Sequence, residues 1–174
     1  QGNHDYEEGL MKNRYVFRSF IQPTQADRET LVNMKLNPVR EIIEDKNVIL
    51  IDDSIVRGTT MKNIVALIRS AGAKTVHVRS SSPPIAFPCF YGVDFPSSEE
   101  LIYGSKLLKR DSNHENIIKE VTEEIDADSV AYLSIEGLIK SIGLPKEDLC
   151  LACLNGQYWY SHDDTKLYLN NGRI

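Results

Sequence analysis

Two adjacent carboxylates, Asp52 and Asp53, sit at the hinge of the stretch VILIDDSIVRGTTMKNIVALI, residues 48–68. An apolar run leads into them. Ser54, Ile55, Val56, Arg57, Gly58, Thr59 and Thr60 follow, and then apolar residues recur at helical spacing. Carboxylates accept hydrogen bonds from sugar hydroxyls or hold a hard cation such as Mg²⁺. The loop behind them offers successive backbone N–H groups, small hydroxyls and a glycine that tolerates positive φ. It feeds a helix N-terminus whose partial positive charge favours phosphate. Neighbouring side chains on a strand point to opposite faces, so the two acids can reach different groups of one ligand. The pattern therefore describes a sugar-phosphate site, with ribose hydroxyls and Mg²⁺ on Asp52 and Asp53 and a 5′-phosphate on the loop. A plainer reading makes Asp53 a helix cap and Asp52 a solvated strand end. Neither G-x-x-x-x-G-K-[ST] nor G-x-G-x-x-G occurs, which excludes Walker-type and Rossmann phosphate loops.

A second set of reactive residues is the cysteines: Cys89 alone, then Cys150-Leu-Ala-Cys153. An odd number with one C-x-x-C suits a metal or redox site in a reducing compartment better than a disulfide framework. Three thiolates could bind Zn²⁺ with one of His4, His77, His114 or His162, or could ligate an iron–sulfur cluster. A thioredoxin-like dithiol fits less well, because neither a strand before the C-x-x-C nor a helix start beside it is evident in the sequence.

The chain that must position these groups has 174 residues, 41% of them hydrophobic, enough for one globular α/β domain with its own core. Its 20 basic and 25 acidic residues leave a net charge of −5, so no basic surplus exists to hold a nucleic-acid backbone. No apolar run approaches the ~20 residues of a membrane span. The opening QGNHDYEEGL lacks the charged and apolar regions of a secretory signal, and the expected location is the cytoplasm. A first residue other than Met suggests a processed or truncated chain.

Periodicity supplies the elements. Residues 12–20 alternate as a strand, 22–27 read as loop, and 28–36 are helix-compatible until Asn37-Pro38 interrupts them. VREIIEDK could form a short helical turn. Residues 47–51 form a near-continuous aliphatic strand, the pattern of one covered on both faces of a parallel sheet. Residues 61–70 make a helix with Ile64, Val65, Leu67 and Ile68 on one side, ended by Ala71-Gly72. Residues 74–80 form the next strand, completing a βαβ unit. SSSPP breaks the pattern, 97–102 can start a helix, 113–125 and 134–142 read as helices, and 129–132 as a short strand. From Pro145 the tail has aromatics but no regular period.

VILIDDSIVRGTT resembles the phosphoribosyl pyrophosphate (PRPP) motif of type I phosphoribosyltransferases. The longer likeness, across residues 8–158, is to the amidophosphoribosyltransferase family. It runs through EGLMKNRYVFRSFI, the motif itself, AGAKTVHVRSSSPPI, FPCFYGVDFPSSEELI and CLACLNGQY.

That resemblance implies a type I phosphoribosyltransferase fold, a mostly parallel sheet with flanking helices and an irregular C-terminal tail. Residues 1–144 would be the transferase domain, truncated at its N-terminus, and 145–174 the cysteine-bearing tail. It implies a cytoplasmic enzyme of purine biosynthesis that transfers ammonia, from glutamine in the full enzyme, to C1 of PRPP. The products are 5-phosphoribosylamine and pyrophosphate. Asp52 and Asp53 would bind ribose and Mg²⁺, and Ser54, Ile55, Val56, Arg57, Gly58, Thr59 and Thr60 the 5′-phosphate. Arg14, Arg18 and Lys35 would serve the pyrophosphate, with Lys35 carried inward by a mobile loop over residues 20–36.

In the iron–sulfur, Bacillus-like branch of the family, Cys89, Cys150 and Cys153 would be three ligands of a structural [4Fe–4S] cluster. The fourth ligand and the glutaminase domain would lie outside this chain. Purine nucleotides would act as feedback inhibitors, and the full-length enzyme would be a homo-oligomer with no nucleic-acid or membrane partner. The chain departs from the family at Phe17 and Thr24, where glycine is usual. Two alternatives share the motif: another type I phosphoribosyltransferase, and a PRPP-sensing regulator without catalysis.

Overall fold

A computed structural model describes residues 6–12, 36–93, 97–109 and 113–159. In chain order its elements are β1 (Leu10–Lys12), β2 (Leu36–Pro38), α1 (Arg40–Ile43), β3 (Asn47–Asp52), α2 (Thr59–Ser70) and β4 (Thr75–Ser80). After a 3₁₀ turn at Ser98–Glu100 come α3 (Gly104–Leu107), α4 (His114–Glu124), β5 (Ser129–Tyr132) and α5 (Ile135–Ile142). A second 3₁₀ turn, Lys146–Asp148, precedes α6 (Ala152–Asn155). Strands β3, β4 and β5 form a parallel sheet in that order, with Asp52 level with Ser80 and Ser80 level with Tyr132. β1 and β2 form a separate antiparallel pair.

The core follows from two amphipathic helices on one face of the sheet. α2 buries Met61, Ile64, Val65 and Ile68, the i, i+3, i+4, i+7 stripe of a helix facing a core. α4 buries Ile117 and Val121, and both stripes meet Val76, Val78 and Val130 of the strands. Gly72 at φ 96° and the Ala71 N–H to Leu67 and Ile68 end α2 where the sequence indicated. Asn113 caps α4 by accepting from Asn116 N at 2.8 Å, and Ser134 caps α5 by accepting from Gly137 N at 2.9 Å. Buried Lys106 of α3 pairs with Glu124 of α4, which fixes those helices to each other.

Three expectations change. β3 is not covered on both faces: Ile49 and Ile51 remain 44% and 69% exposed, and the strand alternates instead. The helices pack on the face of Val76 and Val78, so the odd-numbered β3 side chains fall on the other side. Leu36, placed at the end of a helix-compatible run, opens β2. Asn37 precedes a proline and so favours extended backbone, which β1 then pairs. Residues 98–100 make only a 3₁₀ turn, and the helix waits until Gly104. Of the strand expected over 12–20, only Lys12 is described, closing β1. The rest of that strand, the loop 22–27 and the remainder of 28–36 lie outside the described residues.

Asp128 holds the beginning of the sheet together. Its Oδ2 accepts from Val76 N at 2.7 Å and from Arg69 of α2 at 2.9 Å, while Arg69 also donates to Asp126 O at 2.8 Å. The Val76 N–H, then the Arg69 charge working against partial burial, hold the Asp128 carboxyl below its usual range. A depressed carboxyl stabilises the fold above the unfolded pKa and loses that contribution as pH falls through the folded one. Asp128→Ala leaves the N–H of fully buried Val76 unpaired and should cost about 1–3 kcal/mol in urea unfolding at neutral pH. The gap between variant and wild type should narrow below about pH 4. A gap that stays constant into acid would remove the charged network from the account.

Candidate active site

β3 delivers Asp52 to the carboxyl edge of the sheet, the edge where open parallel sheets bind ligands. The end of β4 locks it there: the Ser81 N–H and hydroxyl both donate to Asp52 O, at 2.9 and 2.8 Å. Asp52 Oδ1 accepts from Asp53 N at 2.9 Å, and Asp53 Oδ1 accepts from Ser54 Oγ at 2.9 Å. Burial raises the Asp52 carboxyl above its ordinary value. The Asp53 N–H opposes that shift and the Asp53 charge reinforces it. Asp53 is exposed. Thus a half-buried and an exposed carboxylate stand side by side.

The plainer reading of these acids fails on geometry. Gly58, at φ 79° and ψ −24°, occupies the cap position of α2, and no side chain caps that end. Asp53 is therefore not a helix cap, and half-buried Asp52 is not a solvated strand end. The first turn of α2 carries no acid, so its leading N–H groups, with no intrahelical partners, meet no competing negative charge there. Thr59 and Thr60 are exposed beside them.

Within the loop the residues divide by role. Ile55 is 2% exposed and its side chain belongs to the core, which leaves only its backbone for a ligand. Val56 is half-buried. Arg57 is exposed and donates to Glu100 Oε2 at 3.0 Å. Gly58 is required twice: its φ is left-handed, and a Cβ there would lie 2.3 Å from Ile102 Cδ1. The sequence contained no local signal for Ser81, Glu100 or Ile102, because each reaches the site from a distant segment. Arg14, Arg18 and Lys35, together with Phe17 and Thr24, lie outside the described residues.

The cysteine-bearing segments meet on another flank. Ala86 N and Phe87 N both donate to Cys153 O at 3.0 Å, and Tyr158 OH donates to Pro88 O at 2.6 Å. The rings of Phe90 and Tyr158 pack at a tilt of 51°, their centroids 5.0 Å apart. α6 starts between Cys150 and Cys153, a helix start that the irregular tail did not announce. All three thiols are free of disulfides. Burial, then the neighbouring Cys89 and Cys150, pushes the Cys153 thiol up. Among the described residues no three His, Cys, Asp or Glu side chains close into a metal-holding group. His77 bonds Ser129 Oγ at 2.9 Å and His114 bonds Tyr103 OH at 2.8 Å, while His4 and His162 lie outside the described residues.

A cavity of about 280 Å³ opens beyond the end of β5, lined by Pro83, Tyr103, His114, Tyr132 and Ile135 among others. The buried Tyr132 hydroxyl beside it has no hydrogen-bond partner among the described residues, and burial raises its phenol strongly. Neither Asp52 nor Asp53 lines this space. No described helix is long and apolar enough to cross a membrane.

Residues 14–81 match the phosphoribosyl transferase domain family. The chain is 52% identical over 157 residues to the amidophosphoribosyltransferase of Bacillus subtilis strain 168, across 88% of this chain and 31% of that protein. A solved glutamine PRPP amidotransferase from B. subtilis, complexed with ADP and GMP, superposes with a TM-score of 0.71 at 51% identity. The match covers 90% of this chain and 33% of that one. A structure described as the allosteric regulatory enzyme of purine biosynthesis gives a TM-score of 0.72 at 50% identity, over 92% of this chain and 34% of that one. The parallel sheet with flanking helices is thus the type I phosphoribosyltransferase fold, as expected from the motif. The chain spans about a third of the length of the proteins it matches.

Asp52 carries a test of site against scaffold. A carboxyl whose folded pKa is raised stabilises the fold below the unfolded pKa and loses that contribution as pH rises through the folded value. Asn can still accept from Asp53 N. Asp52→Asn should therefore be at least as stable as wild type in urea unfolding at pH 7, with the two converging in acid. A clear loss of stability at pH 7 would make Asp52 a structural residue.

Proposed function

We propose that this chain, similar to the amidophosphoribosyltransferases over most of its length, forms the PRPP-handling part of such an enzyme. The observation that carries the reading is a carboxylate pair at a strand end, joined through Gly58 to an uncapped helix start free of acid. The reaction displaces pyrophosphate from C1 of PRPP. The nitrogen lone pair of ammonia forms the new C1–N bond, and the C1–O bond breaks with its electron pair leaving on pyrophosphate. The attacking nitrogen then sheds a proton to give 5-phosphoribosylamine, opening purine synthesis. Glutamine supplies the ammonia in the full-length enzyme.

Each residue then has a physical task. Asp52 and Asp53 orient the ribose hydroxyls, and Ser54 to Thr60 hold the 5′-phosphate on backbone N–H groups and the hydroxyls of Thr59 and Thr60. The same two carboxylates offer the hard oxygen donors that Mg²⁺ requires, and such an ion would offset charge on the departing pyrophosphate. Arg14, Arg18 and Lys35, assigned by resemblance alone, would add positive charge at the leaving group. Feedback by purine nucleotides is supported by the ADP and GMP bound to the solved relative. We also place the enzyme in the cytoplasm, as a homo-oligomer, with residues 1–144 as the transferase domain and 145–174 as its tail.

Cys89, Cys150 and Cys153 are assigned to an iron–sulfur cluster in the full-length protein. Three free thiols on adjoining segments suit such a group in donor chemistry. The described side chains do not by themselves form a metal-holding group, and the family resemblance puts the fourth ligand outside this chain.

Two measurements test these assignments. The double variant Asp52→Asn, Asp53→Asn in the full-length protein should lower phosphoribosylamine formation from PRPP and ammonia by at least about a hundredfold, the scale of a lost charge-stabilising group. Glutamine hydrolysis should persist, because neither acid serves the amide. Unchanged synthesis in the variant would sink the reading. For the cysteines, full-length protein purified without oxygen should contain about four irons per chain. Iron-free protein of full activity would return zinc, or no metal, to first place.

A further inference from the structure

The phosphate loop is braced from outside its own strand and helix. Ile102 N donates to Val56 O at 2.8 Å, in the middle of the loop. The Ile102 side chain fills the space in front of Gly58, where a Cβ would sit 2.3 Å from its Cδ1. The bracing segment is itself firmly seated. Ile102, Leu101 and Ser98 are buried, and Gly104 packs so closely that a Cβ there would lie 2.5 Å from Ala86 O. Ala86 in turn donates to Cys153 O at 3.0 Å.

We propose that Ile102 is a positioning residue for the phosphate loop, holding the Val56–Gly58 turn in the shape that aims its amides at a phosphate. The proposal rests on reading residues 54–60 as a phosphate cradle. Glycine at positive φ has more alternative conformations than any other residue, so a loop turning on Gly58 gives up much freedom when it binds. One hydrogen bond on Val56 O and one side chain against Gly58 remove much of that freedom before the ligand arrives. Preorganised donors bind more tightly because the ordering is already done. The Arg57–Glu100 pair lies on the same segment, but its groups are exposed at 41% and 48% and solvent screens it. Ile102 therefore carries the effect and Glu100 adds little.

Hydrogen exchange and ligand binding on the full-length protein separate the two layers of the argument. In Ile102→Ala, amides of residues 55–61 should exchange about tenfold faster, while those of β4 and α4 keep wild-type rates. The dissociation constant of ribose 5-phosphate and the KM for PRPP should each rise about tenfold, with kcat within about threefold of wild type. Ile102→Val should fall between. If Ile102→Ala fails to fold, the graded Ile102→Val decides by the same readouts. Wild-type exchange across 55–61 in a folded Ile102 variant overturns the proposal. Loss of kcat with unchanged KM overturns it too, because a turn that only shapes the cradle acts on binding. Should wild-type protein bind no ribose 5-phosphate, the cradle reading fails, and the exchange rates still decide whether Ile102 holds the turn.

Discussion

Parallel pairing of β3 with β4 is the constraint from which the rest follows. Two parallel neighbours cannot be joined by a tight turn, so the chain must leave β3 at one edge and return to start β4 at the other. α2 makes that return, and its buried stripe of Met61, Ile64, Val65 and Ile68 covers the face of Val76 and Val78. The same geometry sets Asp52, Ser80 and Tyr132 level at the carboxyl edge, with the start of α2 close by. Strand end and helix start are thus brought together by the topology, and the short loop between them inherits a strand-end carboxylate on one side and helix N–H groups on the other.

Two aspartates at opposite ends of that sheet show how differently a fold treats a charge. Asp128 lies where the sheet begins, and there an N–H from Val76 and the guanidinium of Arg69 outweigh partial burial and favour its ionised form. Asp52 lies where the sheet ends, half-buried beside a second carboxylate, its own carboxylate accepting from the N–H of Asp53. The first charge stabilises the protein. The second is disfavoured by burial, so its ionised form adds nothing to the fold.

Among the described residues of the tail, 145–159, there is neither a long helix nor a strand. They are held to the rest of the fold by long-range contacts: Cys153 O accepting from Ala86 and Phe87, Tyr158 OH donating to Pro88 O, and aromatic packing between Phe90 and Tyr158. These contacts tie Cys150 and Cys153 to the stretch that carries Cys89. The same stretch continues to Ile102, whose N–H donates to Val56 O, and so to the loop between β3 and α2. The cysteine flank and the loop are therefore built on one continuous piece of chain.

What the sequence determined by itself is local. Ile64, Val65 and Ile68 of the α2 stripe, the glycine stop of that helix, the helices that begin beside Asn113 and Ser134, and the strand ending on Asp52 and Asp53 were legible, because periodicity and helix stops act within a few residues. The loop's glycine was legible for the same reason. Tertiary structure decided what depends on distant partners. It left Ile49 and Ile51 of β3 exposed, because α2 and α4 pack on the other face of the sheet. It turned Leu36 to Pro38 into a strand, because β1 was there to pair with it. It removed Asp53 from the helix cap and gave that place to Gly58, and it brought Ser81, Glu100 and Ile102 to the site from separate segments. Those residues carry no spacing relative to Asp52 that a sequence could reveal, since only the folded sheet makes them neighbours.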